Sequence, residues 1–286
     1  MKYDVILPIA RKDAYFLHRT LDYLQKNLVE VENIYIITNI NNFRILRKVV
    51  NSNSNVLMLD ENALIEGLSY KNVHIILKRY GAERITGWYF QQLLKLGFAT
   101  TSYAKSNYLS WDADTILLSP IKFEEEGKLY FDCKKEYHEP YFTSIQRLLG
   151  LPKIIEESFI AEHMLFEKNI VEEMICKIEN QNDVTGNSWW EKILASCDYA
   201  HSLNSFSEFE TYGTYAYSKN PNRYKLRHLS TFRKGGLING RFISDKMLDK
   251  LSFDLDTISF ELRDTPAFPL NIRCYIYRLW LKLIAK

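Results

Sequence analysis

The stretch Trp111-Asp112-Ala113-Asp114-Thr115 carries the strongest chemical signal in the sequence. Two carboxylates at i and i+2 follow the apolar run Tyr108-Leu109-Ser110-Trp111, which reads as a strand. Ligands of open α/β sheets bind beyond the carboxyl ends of strands. Burying such acids without a cation is costly, and hard divalent ions want oxygen ligands of this kind. The pair therefore points to Mg²⁺ or Mn²⁺ held against a diphosphate. D-x-D also occurs by chance in solvated turns, and its place after a strand is what favours function. The aspartyl-phosphate phosphatase pattern D-x-D-x-T does not fit: Thr115 follows Asp114 directly and the required position holds Ile116. No G-x-G-x-x-G or Walker loop is present, so Rossmann oxidoreductases and P-loop enzymes lack support.

The elements that must position this pair can be read from periodicity. Residues 4–10, 33–38 and 56–60 are continuous apolar runs, expected as buried parallel strands. Asn51-Ser52-Asn53-Ser54-Asn55 is turn-forming. Phe16, Leu17, Leu21 and Leu24 are spaced as a helix, with Asp13 as a candidate N-cap. A helix opening at Gly87 places Phe90, Leu93, Leu94 and Gly97 on a core face, and Trp88, Gln91 and Lys95, at i, i+3 and i+7, on another. Residues 158–166 read as a further strand, the stretch from Asn169 as a helix, and residues 202–241 as loop-rich. Alternation of strand and helix predicts an α/β fold with a mostly parallel sheet.

Composition agrees with one sizeable domain. The chain has 286 residues, 47% apolar and 25% charged, which is globular rather than disordered. With 37 Lys plus Arg against 35 Asp plus Glu the net charge is +2, which gives no case for nucleic-acid binding. Cys133, Cys176, Cys197 and Cys274 form no C-x-x-C pair and suggest a reducing compartment. No signal peptide or membrane-length apolar run is evident. A cytoplasmic protein, soluble or peripheral, is expected.

The order Arg11-Lys12-Asp13 after the first strand, then a helix ending in Lys-Leu, then Tyr-Leu-x-x-Asp-Ala-Asp-Thr resembles nucleotide-sugar-dependent glycosyltransferases of the GT-A fold. Residues 87–95 (GWYFQQLLK), 159–164 (FIAEHM) and 206–213 (FSEFETYG) resemble a bacterial family of glycosyltransferases associated with capsule or lipopolysaccharide synthesis. The resemblance runs from Lys2 to Phe242. It implies that Asp112 and Asp114 hold Mn²⁺ or Mg²⁺, with His228 completing the shell. It places Arg11 and Asp13 near the nucleotide, and Trp88, Gln91, Gln92, Lys95, Asp112 and Ala113 at the donor. Glu162 and His163 would lie near the acceptor or the sugar. Glu208 and Glu210 alternate in a run which, if extended, aims both the same way, and either could deprotonate an acceptor hydroxyl in inverting transfer. For each histidine a local structural role competes, as does a solvated turn for Arg11 to Asp13 and an exposed surface position for Lys95.

Pro266 and Pro269 separate a body, 1–265, from a last amphipathic helix, 266–286. Along it Arg278, Lys282 and Lys286 stack at i, i+4 and i+8, opposite Ile276, Trp280, Leu283 and Ile284. A basic face with a Trp/Leu face suits an anionic membrane surface; the competing expectation is a helix packed on the body. The partners expected are a nucleotide sugar and a glycan or lipid-linked glycan, at the cytoplasmic face of the inner membrane. Two alternatives stand beside this: a nucleotidyltransferase with the same paired acids, and a non-catalytic carbohydrate-binding scaffold.

Overall fold

A computed structural model of the chain describes residues 2–28, 30–50 and 55–284, Val49 and Ile284 in backbone only. Most of the turn-forming run at 51–55, the Lys286 ammonium and the Ile284 side chain lie outside the described residues. The strands are β1 (Tyr3–Pro8), β2 (Val31–Thr38), β3 (Val56–Asp60), β4 (Asn107–Trp111), β5 (Thr115–Leu117), β6 (Glu124–Glu125), β7 (Lys128–Asp132), β8 (His163–Glu167), β9 (Tyr224–Arg227), β10 (Thr231–Phe232) and β11 (Thr257–Ser259). The helices are α1 (Leu17–Asn27), α2 (Phe43–Val50), α3 (Tyr70–Arg79), α4 (Thr86–Gly97), α5 (Glu139–Leu149), α6 (Lys168–Glu179), α7 (Trp189–Ser196), α8 (Glu208–Lys219), α9 (Gly236–Asn239), α10 (Asp245–Leu251) and α11 (Asn271–Ile284).

The central sheet has the order β3-β2-β1-β4-β8. Its first four strands are parallel and β8 runs antiparallel to β4. β1 and β4 are buried along their whole length, as continuous apolar runs covered by helices on both faces must be. Chain order reverses beside β1: β2 and β3 extend the sheet one way, β4 the other. That is the switch point at which open α/β sheets leave a crevice at the strands' carboxyl ends. Two small sheets, β10-β11-β5 and β6-β7-β9, flank the central one.

Local structure departs from expectation in several places. Asp13 does not cap α1; it lies in a 3₁₀ turn at Arg11–Asp13, while Phe16 stands at the helix start without a side-chain cap. Only the end of the 158–166 stretch is a strand. The supposedly loop-rich 202–241 contains α8, β9, β10 and α9. Residues 206–212 are not extended: Ser207 caps α8 by accepting a hydrogen bond from the Glu210 N–H (3.3 Å), so the two acids turn to different sides of a helix. Gly97 lets α4 sit tight on its neighbours, since a Cβ there would come within 2.4 Å of Ile65 and 3.0 Å of Trp189. No helix among the described residues is long and apolar enough to cross a membrane.

Candidate active site

Asp112 emerges from β4 at the switch point, and the loop it begins is pinned at each residue. The Asp112 N–H donates to the Glu162 carbonyl (2.9 Å), the Thr115 N–H donates to the Asp112 carbonyl (3.0 Å), and the Phe260 N–H donates to the Asp114 carbonyl (2.8 Å). The Ala113 carbonyl accepts from the Thr20 hydroxyl on α1 (2.6 Å). Beneath the loop the Trp111 indole donates to the Thr115 carbonyl (2.8 Å). Backbone and side chains thus fix where both carboxylates point.

Lys95 is the centre of one half of the site. Its ammonium lies 2.8 Å from Asp112 Oδ1 and 2.7 Å from Glu208 Oε1, and 4.2 Å from the centroid of the Phe209 ring. It is buried, because α4 is covered nearly all round rather than presenting one solvent face. Burial works against the charge, but the carboxylates of Asp112 and Glu208 outweigh it and hold the ammonium protonated. Burial pushes Glu208 up, with Lys95 pulling the other way. Gln92 binds the same element: its Oε1 accepts from the Glu208 N–H (3.1 Å), satisfying one of the free donors at the start of α8. Trp88, edge-on to Tyr89 at 4.9 Å, and Gln91 are half-buried on the preceding turns of α4.

The other half joins the chain's beginning to residue 241. Arg241 Nη2 lies 2.6 Å from Asp13 Oδ1 and 3.8 Å from Asp114 Oδ2, and Nε donates to the Phe260 carbonyl (3.0 Å). Burial, then the charges of Asp13 and Asp112, push Asp114 up to about 7, against the pull of Arg241. Arg11, on the same turn as Asp13, is half-buried. Negative charge is therefore crowded at this strand end beyond what Lys95 and Arg241 offset. Among the described residues no group of three His, Cys, Asp or Glu is arranged to hold a metal. The donor set does fit the mode in which one or two carboxylates hold Mg²⁺ or Mn²⁺ and phosphate oxygens and water complete the shell. Asp112, which gives Oδ1 to Lys95, and Asp114 would hold such an ion.

Three other candidates are placed differently. His228 is exposed; its Nε2 lies 2.9 Å from Glu157 and its Nδ1 3.1 Å from the Cys133 carbonyl, so it is not brought to the acid pair. Glu210 accepts from the Ser158 hydroxyl and the Phe159 N–H (3.0 Å), which ties α8 to the segment before β8. A Cβ on Gly213, the next turn of α8, would come within 2.4 Å of the Phe159 ring, so only glycine permits that approach. His163 is buried behind Trp111, stacked at 4.6 Å, with Nε2 2.7 Å from Asp132 Oδ2. Glu162 adjoins the acid loop through its carbonyl, and its buried carboxylate pairs with Lys134 (2.5 Å) and Arg233. Arg233 also reaches Glu136 (2.6 Å). Neither Arg241 nor the Lys134–Arg233 pair is visible in the sequence, because their partners lie up to 228 residues away with no spacing signal.

The chain belongs to a family of unknown function, DUF6492, whose sequence profile matches residues 1–235. No curated protein matches it. Its backbone is similar to mouse xyloside xylosyltransferase 1 in its apo form (TM-score 0.48, 10% identity, 93% of this chain and 100% of that one). It is similar to galactosyltransferase LgtC in complex with donor and acceptor sugar analogs (TM-score 0.43, 10% identity, 96% and 94%). It is also similar to the bifunctional glycosyltransferase WbbM (TM-score 0.48, 13% identity), covering 96% of this chain and 51% of that one.

Proposed function

We propose that this DUF6492 protein is a metal-dependent, inverting glycosyltransferase that moves a sugar from a nucleotide-sugar donor to a hydroxyl of a bacterial surface glycan, free or lipid-linked. The observation that carries the reading is the carboxylate cluster Asp13, Asp112 and Asp114 at the switch point, with Lys95 and Glu208 beside it. Residues 1–265 form the transferase body and 266–286 the appended helix. The resemblance supplies the capsule or lipopolysaccharide class of acceptor and the cytoplasmic face of the inner membrane as the place of work.

Asp112 and Asp114 would hold a divalent ion, which would supply countercharge to the leaving nucleotide diphosphate. Lys95 fixes Asp112 in place, while Arg241 does the same for Asp13. Arg11 and Asp13, in the turn that follows β1, would lie beside the nucleotide. Of the two acids on α8, Glu208 is the one at the reacting centre, since Glu210 is held by Ser158 and Phe159. As the acceptor oxygen bonds to the anomeric carbon and the bond to the leaving phosphate oxygen breaks, the acceptor's proton passes to the Glu208 carboxylate. Glu162, held by Lys134 and Arg233, walls the acceptor side.

A screen of UDP-, GDP-, CMP- and dTDP-sugars with Mn²⁺ tests this by thermal shift, because a ligand bound only by the folded state raises its stability. One donor should stabilise the protein with metal and not in EDTA, and product analysis should show inverted anomeric configuration. No stabilisation by any donor, or transfer in EDTA, refutes the reading. Incorporation of the nucleotide rather than the sugar establishes the nucleotidyltransferase instead.

A further inference from the structure

Helix α11 shows two faces of opposite character. Its inner face is anchored: Cys274 and Leu281 are buried. Trp280 packs on Tyr15 at 4.6 Å, and Tyr277 packs edge-on to Phe242 at 5.5 Å. Arg278 belongs to this inner face. It donates to the Leu262 (2.8 Å) and Asp264 (2.9 Å) carbonyls and to the Thr265 hydroxyl (2.7 Å). Arg278 therefore does not face outward as the sequence pattern suggests, and Trp280 is engaged with the body.

The outer face carries a different stripe. Ile272, Ile276, Leu279 and Leu283 follow one another at intervals of four, three and four, and are 48%, 64%, 60% and 66% exposed. That spacing puts all four on one side of a helix. At 100° per residue, Arg273 and Lys282 fall about 90° to either side of the stripe's centre, and both are exposed. No Asp or Glu follows Asp264 in the sequence.

We infer that this face of α11 docks on an anionic lipid surface, lying in the headgroup layer with the Ile/Leu stripe downward and Arg273 and Lys282 at the two waterlines. An apolar face flanked on both sides by cations matches an interfacial helix, and anionic headgroups supply the opposite charge. A second copy of the same face would bring four like cations to the rim of one patch with no acid on either helix to meet them, which disfavours self-association. The inference stands independently of the chemistry at Asp112.

The test uses the full chain and sedimentation with vesicles of phosphatidylcholine alone or with about one-third phosphatidylglycerol. Intact protein should bind the anionic vesicles and not the neutral ones, and lose most binding in high salt, where exposed charges are screened. Arg273→Gln with Lys282→Gln should weaken binding about 30-fold, from roughly 1 kcal/mol per charge. Ile276→Ser with Leu279→Ser should abolish it while leaving the melting temperature unchanged, because both side chains face solvent. Undiminished vesicle binding in the serine variant overturns the inference, as does failure of the intact chain to bind anionic vesicles. So does a dimer in solution that the serine variant dissociates, which would assign the face to a second copy.

Discussion

Replacing Lys95 by Met removes the one cation between two carboxylates. The Lys95 and Glu208 side chains are 8% and 5% exposed, against 37% for Asp112. Asp112 can therefore turn to water, but Glu208 is left as a buried, unpaired acid. Breaking a buried pair from one side costs about 3–5 kcal/mol, which for a chain of this size lowers the melting temperature by roughly 10 °C. Glu208→Gln should cost less, since Lys95 keeps Asp112. Adding Glu208→Gln to Lys95→Met should recover at least half of the loss, because the stranded charge is gone. Differential scanning calorimetry of the four proteins measures this coupling directly. A Lys95→Met protein as stable as the parent, or a double variant at the sum of the two singles, refutes the account of Lys95 as the countercharge for Glu208.

Asp112→Asn or Asp114→Asn should abolish Mn²⁺-supported nucleotide binding in calorimetric titration while the fold persists; unchanged binding in either removes that residue from the metal site. Glu208→Gln should lower kcat by about 10² or more with donor affinity kept, whereas Glu210→Gln should act on stability, through Ser158 and Phe159, and little on kcat; equal mild effects would exclude both as the base. Asp132 is held down to about 2 by Arg227 and His163, which together outdo its burial. An acid whose folded pKa lies below its unfolded value of 3.8 stabilises the fold above that pH and loses its contribution as pH falls through about 2. Asp132→Asn should therefore cost about 2 kcal/mol at pH 7, with the gap to the parent closing between pH 4 and pH 2 in denaturant titrations.

How much was legible in the sequence follows from what produces a local signal. The parallel strands could be read because burial on both faces leaves uninterrupted apolar runs, and Asp112 and Asp114 because they leave such a run. Lys95 was found as a residue, but its burial was not: the face argument assumes one apolar stripe, and α4 is covered by α8 as well as by the sheet. The run at 206–212 misled because alternating acids suit a strand, while the decisive feature was Ser207 as a helix cap. Arg241 and Arg233 had no readable signal, since a guanidinium reaching across the fold leaves no periodicity behind. The last helix was seen as amphipathic, yet only the structure shows that Arg278 has backbone carbonyls for partners.

The bond between Asp13 and Arg241 also sets an order in time. The two acids it serves, Asp13 and Asp114, leave the ribosome long before their guanidinium: Arg241 is translated 127 residues after Asp114. At synthesis rates of about 5–20 residues per second that interval is on the order of ten seconds. Through it the nascent chain can assemble β1, β2, β3 and β4 but has no Arg241 to neutralise the strand-end acids, nor the Phe260 N–H that fixes the Asp114 carbonyl. The crevice at the strand ends is thus completed only once Arg241 and Phe260 have been made, and a chain still in synthesis carries its acids without the geometry that holds them.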